Sequence, residues 1–331
     1  MTYKKIGLIG FGSWVKNAYL PVLSEIENLN ISHVSTKTEK SLVTAKTLIN
    51  NTDCKFSLDY MRLIDDKQLD LIIISVPDSS HGKIISDVLS RDIDCIFEMP
   101  LSMENSESKK IISKMSSKSN IYIPNLEMSH LPIISYLGKM FETNKFGNLE
   151  KAKLKLSANW WPGFSIYTAS PWYIDVFNKI FNIAPKRVTS SGVTKSKFPT
   201  ESKGSAILDY GDFFAEWEFD METQTELSVI LDLFFEKETV QVDLMKSEIK
   251  SDNNKKISFF EPHYGWPGMK EFILNTMFEK QDRLQHIEDI TILQNISNGL
   301  KLSVNTKDSV SYTHLRAHET SLHLVCRLLL E

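Results

Sequence analysis

Residues Ile6 to Trp14 read IGLIGFGSW, an apolar run that breaks into Gly10-Phe11-Gly12 and then enters a helix-like stretch. A dinucleotide-binding domain begins in this way. The first glycine of such a turn allows the tight bend, and the second lets the backbone approach a pyrophosphate whose charge rests on free N–H groups of the next helix. Gly10 and Gly12 fill those two roles, with Phe11, Ser13 and Trp14 completing the loop. The third glycine of the usual pattern falls at Val15, so helix and strand cannot approach as closely there. A Gly-x-Gly pair also serves as a plain turn, and the rest of the chain has to decide.

At 331 residues the chain suits two domains, each large enough to bury a core. Lys plus Arg number 38 against 42 Asp plus Glu, a net charge of −4, and no basic stripe is interleaved with aromatics. That balance argues against nucleic acid as a partner. The longest strongly apolar run, Leu71 to Val76, has a strand's length and falls far short of the ~20 residues that cross a bilayer. Lys4 and Lys5 precede an apolar stretch cut by glycines and lacking a cleavage site, so a cytoplasmic enzyme without membrane contact is expected. Cys54, Cys95 and Cys326 have no paired spacing and read as buried small hydrophobes. From about Ser311 the composition shifts abruptly to His, Arg and Leu. We read 311–331 as a non-native tail, exclude His314, His318 and His323 from metal reasoning, and expect no metal; a genuine C-terminal helix is the alternative.

Up to about residue 125, short apolar runs alternate with helical patterns, as in a doubly wound parallel sheet with helices on both faces. Strands are expected at Lys5–Ile9, Ile31–Ser35, Leu71–Val76, Cys95–Glu98 and Ile121–Pro124. Helices are expected at Val15–Glu27, Glu39–Asn50, Ser80–Arg91 and Asn105–Ser117, with Pro21 kinking the first and Ser102 capping the last. From Leu149 the pattern alternates, with runs at Leu149–Ala158, Ser205–Tyr210, Ala215–Phe219, Glu226–Phe235 and Thr239–Leu244. Such runs suit a large, mostly antiparallel sheet with one packed face. Helical segments lie at Pro171–Ile183, Met269–Lys280 and Ile287–Lys301. The expected fold is therefore α/β: a Rossmann-type domain over 1–125, then an α+β substrate and oligomerisation domain over 126–310.

Five features occur in an order that resembles the glucose-fructose oxidoreductase, inositol dehydrogenase and MocA family over roughly residues 3–310. They are Gly10-Phe11-Gly12, Asp70 to Pro77 with His81 four residues later, Glu98-Met99-Pro100-Leu101, Phe146-Gly147-Asn148-Leu149, and Pro185-Lys186-Arg187-Val188. The resemblance implies an NAD- or NADP-dependent oxidoreductase, with nicotinamide near Pro77, Glu98 and Met99, and with Ser75, Val76 and His81 lining the cofactor. His81 suits a capping or solvent-facing role equally well. Where an acidic residue normally receives the adenosine ribose hydroxyls, this chain has Ser35-Thr36-Lys37-Thr38. Small hydroxyls and a cation at Thr36 and Lys37 favour the 2′-phosphate of NADP over NAD.

The family's Glu-Lys-Pro lysine is Met99 here, and a thioether cannot act as general acid or base. The biliverdin reductases are similar in having Glu-x-Pro without lysine. The family's further aspartate and histidine fall, by ungapped count from Asp175, at Thr168 and Trp172. Tyr173, Asp175 and His130 are then the candidate proton donors, although Tyr173 also suits packing at a core edge. Aromatics at Trp160, Trp161, Phe164 to Trp172, Tyr264 and Trp266 suit a flat or sugar-ring ligand, or interdomain packing. The expected reaction is hydride transfer on a small sugar-like or conjugated substrate with an atypical acid/base set. The competing reading is a catalytically silent scaffold or regulatory protein that binds a nucleotide or metabolite. The resemblance also implies a homo-oligomer formed through the exposed face of the antiparallel sheet, with Leu227–Phe235 as the apolar strand.

Overall fold

The computed structural model describes residues 5–27, 29–251, 256–259 and 266–311. The chain divides into two compact units, Met1–Leu131 with Glu261–Thr291, and Pro132–Phe260 with Ile292–Glu331.

The first unit is built on a six-stranded parallel sheet of described strands β1 (Lys5–Ile9), β2 (Asn30–Ser35), β3 (Lys55–Ser57), β4 (Leu71–Ile74), β5 (Asp94–Phe97) and β6 (Tyr122–Pro124). Their spatial order is β3-β2-β1-β4-β5-β6, so the chain leaves β1 in both directions and creates a switch point between β1 and β4. Open sheets of this kind hold ligands in the crevice beyond the strand ends at that point. Leu71, Ile72, Ile73 and Ile74 are all buried, as expected of a strand covered on both faces. The strand β3, with one apolar residue, and the helix after it, Tyr60–Ile64, with five residues in all, are too short for a period to show in the sequence.

The first helix departs from expectation. Its opening turn, Val15–Tyr19, is π-helical, with Leu20 N–H returning to the Val15 carbonyl, and regular α-helix α1 (Leu20–Leu23) follows. Pro21 falls at the start of α1, where its missing N–H is harmless. Helices α2 (Glu39–Leu48), α3 (Tyr60–Ile64), α4 (His81–Val88) and α5 (Asn105–Ser116) complete the crossovers. Ser102 is not the cap of α5; that position is Glu104, and the Ser102 hydroxyl instead accepts from Glu104 N–H at 3.1 Å and bonds the Glu107 carboxylate. A later helix, Met269–Phe278, returns to this unit: Met269, Phe272, Ile273 and Met277 share one buried cluster with Ile6, Leu8, Val15, Tyr19 and Val22.

In the second unit, α6 (Pro132–Glu142) and α7 (Ile166–Phe181) accompany a nine-stranded sheet, counted among the described residues, whose strands are β7 (Leu149–Ser157), β8 (Arg187–Val193), β9 (Lys203–Asp209), β10 (Phe214–Asp220), β11 (Ser228–Phe235), β12 (Thr239–Asp243), β13 (Glu248–Ser251), β14 (Lys256–Ser258) and β15 (Val310–Ser311). All pairings are antiparallel except β7 with β10. Strict alternation buries Val229, Leu231, Leu233 and Phe235 on one face of β11 and turns Ser228, Ile230, Asp232 and Phe234 to the other. The apolar strand read from the sequence is thus half core. The outward positions of β7 and β10 form a charge ladder, Lys151 with Glu216 at 2.9 Å and Lys153 with Glu218 at 2.7 Å.

The helix α7 begins at Ile166, five residues before the expected start at Pro171. Ser165 and Thr168 form a reciprocal capping box that sets this start. Pro171 lies inside the helix, where it leaves the Tyr167 carbonyl without its regular donor. The Ser170 hydroxyl supplies a bond to that carbonyl at 3.3 Å. The later helices are α8 (Met269–Phe278) and α9 (Arg283–Thr306).

Candidate active site

Gly10 has φ +97°, and a Cβ there would lie 1.9 Å from the Ser75 carbonyl oxygen. Its N–H donates to the Ser35 carbonyl at 2.8 Å, and Ser75 N–H donates to the Ile9 carbonyl at 2.9 Å. The end of β1 is therefore pinned between β2 and β4, and only glycine fits. Gly12 is glycine for the opposite reason: a Cβ would meet nothing within 4 Å. Open space beside an exposed backbone at a helix start fits a pyrophosphate. Phe11 is buried in the core, Ser13 is exposed, and Trp14 packs edge-on against Trp266 at 5.0 Å.

At the end of β2, Ser35 and Thr36 are buried and Lys37 is exposed. The Thr36 hydroxyl donates to the Thr38 carbonyl at 3.0 Å, while the Thr38 hydroxyl accepts from Ser41 N–H at 3.3 Å and caps α2. Ser75 and Val76 are half-buried after β4, and Pro77 is exposed.

The His81 side chain does not face solvent; the residue closes the turn Asp78–Ser80 through its backbone N–H, and its ring is engaged elsewhere. It is 1% exposed, with Nδ1 at 2.8 Å from the Pro100 carbonyl and Nε2 at 2.9 Å from the Val76 carbonyl. The ring braces the loop after β4 against the loop after β5. Asp78 Oδ1 lies 3.8 Å from Nε2, and burial pushes the Asp78 carboxyl up while the imidazole opposes that shift.

Glu98, directly after β5, is 7% exposed and is the centre of a buried polar cluster. Its Oε1 accepts from Trp14 Nε1 at 2.9 Å, Tyr19 hydroxyl at 2.7 Å and Asn125 Nδ2 at 3.0 Å; among the described residues its Oε2 receives only Asn125 Nδ2, at 3.2 Å. The π-helical turn makes this possible. Positions five apart on a regular α-helix diverge by about 140° around the axis, whereas an i to i+5 turn stacks them. Trp14 and Tyr19 therefore reach the same oxygen. Burial pushes the Glu98 carboxyl up to about 7, against the lowering effect of Tyr19, Asn125 and Trp14, and Asp78 adds to the rise. The Tyr19 phenol is raised well above its ordinary value, first by burial and then by Glu98. Met99 is buried beside Glu98.

Sequence reasoning missed Tyr19, Asn125 and Asp78. Asn125 was within reach of it: Phe97 and Pro124 are partners in the β5–β6 register, so the residues that follow, Glu98 and Asn125, leave the sheet side by side. The amide oxygen of Asn125 makes no hydrogen bond within the described residues.

His130 is half-buried in the first unit, with Nδ1 at 3.2 Å from Asn275 Nδ2 and its ring edge-on to Phe272. Tyr173 and Asp175 are buried on α7 of the second unit, where Tyr173 stacks on Trp217 at 5.2 Å. Thr168 serves the capping box, and Trp172 is half-buried on the same helix. Trp160 lies against Phe198, and Trp161 meets the buried Phe164 edge-on. Tyr264 and the tail histidines lie outside the described residues. Among the described residues no His, Cys, Asp and Glu group is arranged to hold a metal ion, and no helix is long and apolar enough to cross a membrane.

Residues 4–126 match the model of the oxidoreductase family with an NAD-binding Rossmann fold, GFO_IDH_MocA. Over these residues the chain is similar to the nucleotide-binding domain of that family. A curated relative, dTDP-3,4-didehydro-2,6-dideoxy-alpha-D-glucose 3-reductase of Saccharopolyspora spinosa, is 19% identical over 207 residues, which is 62% of this chain. The match spans about half of that relative, 52% of its length. The likeness to solved structures extends through the second unit. An oxidoreductase domain protein from Kribbella flavida aligns with TM-score 0.80 at 14% identity, covering 94% of this chain and 99% of that one. An oxidoreductase from Agrobacterium radiobacter, crystallised with NAD+, L-tartaric acid and magnesium, aligns with TM-score 0.78 at 14% identity and the same coverage. Both likenesses establish the fold.

Proposed function

We infer that the protein is an NAD(P)-dependent oxidoreductase that transfers hydride to or from a small sugar-like or conjugated substrate. The observation that carries this reading is the open side of Gly12, next to a Gly10 locked against the Ser75 carbonyl. Backbone N–H groups at the start of the first helix would hold the pyrophosphate, and the loops ending in Val76 and Glu98 would receive the nicotinamide. When bound, the cofactor supplies the hydride chemistry. The chain's own residues orient and handle protons: His81 fixes the two loops, and Glu98 gathers Trp14, Tyr19 and Asn125. Sugar chemistry is supported by the name of the curated relative, a reductase of a dTDP-linked sugar.

Three finer features belong to the same reading. Lys37 and Thr36 favour NADP, since no carboxylate stands at the end of β2 to accept ribose hydroxyls. The acid/base set departs from the family's, with Met99, Trp172 and Thr168 in place of the usual groups, and with Tyr173, Asp175 and His130 as candidate donors toward the substrate. The segment 126–310 serves as the substrate and oligomerisation domain.

Dissociation constants for NADPH and NADH, measured by quenching of tryptophan fluorescence, test the reading directly. Tighter binding of NADPH is expected, with a Lys37→Glu variant reversing the order. Binding of neither nucleotide at saturating levels rejects it, and binding without turnover on sugars, keto-sugars and conjugated substrates leaves the silent scaffold.

A further inference from the structure

The buried Glu98 cluster has a role that cofactor binding does not account for. A carboxylate with three donors on one oxygen and one long bond on the other is asymmetric: Oε1 is saturated, and Oε2 has capacity for a proton. The groups facing it come from three other elements: Trp14 and Tyr19 from the first helix, Asn125 from the end of β6, and Asp78 from the loop after β4. Asp78 stands 3.8 Å from His81, and Glu127 acts on Tyr19.

We propose that Glu98 is the proton store of the reaction, ionised beside the oxidised, cationic nicotinamide and protonated on Oε2 once the ring is neutral. The proposal rests on the oxidoreductase reading above. In the oxidising direction, the C–H bond of a substrate alcohol breaks with its electron pair going to the nicotinamide. The O–H bond breaks as well, and that proton forms a new O–H bond on Glu98. The products are a carbonyl, the reduced cofactor and a neutral carboxyl, so charge and atoms balance; reduction runs the same steps backward. A cationic ring and an anionic carboxylate stabilise one another in a poorly solvated site, and each loses that partner at the same moment. Burial already holds Glu98 near the midpoint between the two states, pushed up to about 7, so a single nearby charge is sufficient to tip it.

The expected signature is proton exchange on cofactor binding, without turnover. Calorimetric titrations of the full chain with NADP+, NADPH, NAD+ and NADH, in buffers of different ionisation enthalpy, count the protons. Below neutrality, oxidised cofactor should bind with release of a proton and tighten about tenfold per pH unit. Reduced cofactor should show no such release. Glu98→Gln should retain binding and lose the pH dependence of the oxidised form. Tyr19→Phe removes a donor that favours the carboxylate, so its pH window should move upward; Asp78→Asn removes a like charge and should move it downward. Equal pH profiles in wild type and Glu98→Gln, or windows unmoved in both other variants, overturn the proposal and leave the oxidoreductase reading standing. Absence of binding by all four nucleotides overturns both.

Discussion

At the scale of single residues, the molecule depends on carboxyl and carbonyl groups held away from water by specific donors. Glu98 makes the folded state sensitive to pH in a direction opposite to most acids. Its carboxyl is raised from 4.5 to about 7 by burial, so between those values the folded chain binds more protons than the unfolded chain. Stability from this group is present at low pH and is lost as pH rises through that window, by up to roughly 3 kcal/mol. Chemical denaturation at a series of pH values should show wild type weakening from about pH 5 to 7 relative to Glu98→Gln. A wild type that instead gains on the variant across this range would show that the donors outweigh burial. Gly10 belongs to the same scale. That it stands in a tight bend was legible from the Gly-x-Gly pattern, whereas the Ser75 oxygen behind it and the partners of Glu98 were not.

Among elements, α7 shows how a helix start is decided. Proline is favoured in a first turn, so Pro171 attracted the sequence-based boundary, yet the Ser165–Thr168 box supplies two reciprocal bonds five residues earlier and outweighs it. Ser165→Ala should cost about 1 kcal/mol. Thermal unfolding should then fall by about 2–4 °C, and no change would mean that packing of Ile166, Phe177 and Phe181 alone holds the helix. The same contrast explains which elements were legible. Strands β1, β4 and β5 are nearly continuous apolar runs, β2 places Ile31 and Val34 between polar residues, and β7, β11 and β12 alternate between buried and more exposed positions, so their positions were read to within a residue or two. The strand β3, LysPheSer, the strand β13 and the edge strand β14 offer too little apolar surface for any periodic signal. The π-helical turn was invisible because one inserted residue changes phase without changing composition, and Tyr19 and its bond to Glu98 were missed with it.

For the whole molecule, the outward face of the large sheet is the feature most open to experiment. Lys151 and Lys153 on β7 stand beside Glu216 and Glu218 on β10, Lys203 lies 2.8 Å from Asp220, and the apolar Phe214 and Ile207 are exposed among them. Rows of opposite charge around apolar patches are self-complementary under a two-fold axis. We expect a homo-oligomer through this face, reading as at least a dimer by light scattering coupled to size exclusion. Phe214→Lys should shift it toward monomer; a strict monomer in the unaltered chain rejects the interface. The division into units adds something that linear reading did not contain. The helix α8 follows strands β7 to β14 of the large sheet in sequence, yet it packs its Phe272 and Met277 into the nucleotide-binding core. The fold class was legible from patterning, and this return was not, because the apolar face of α8 does not itself say which core it joins.

The widened turn at Val15–Tyr19 has a bearing on how this chain is compared with others. A helix that spends one extra residue to bring an indole and a phenol to a single acid is out of step, from Tyr19 onward, with any counterpart whose coils are regular. Position-by-position matching without a gap will set Ala18 where Tyr19 belongs, and the partner of the acid will be overlooked in each such comparison.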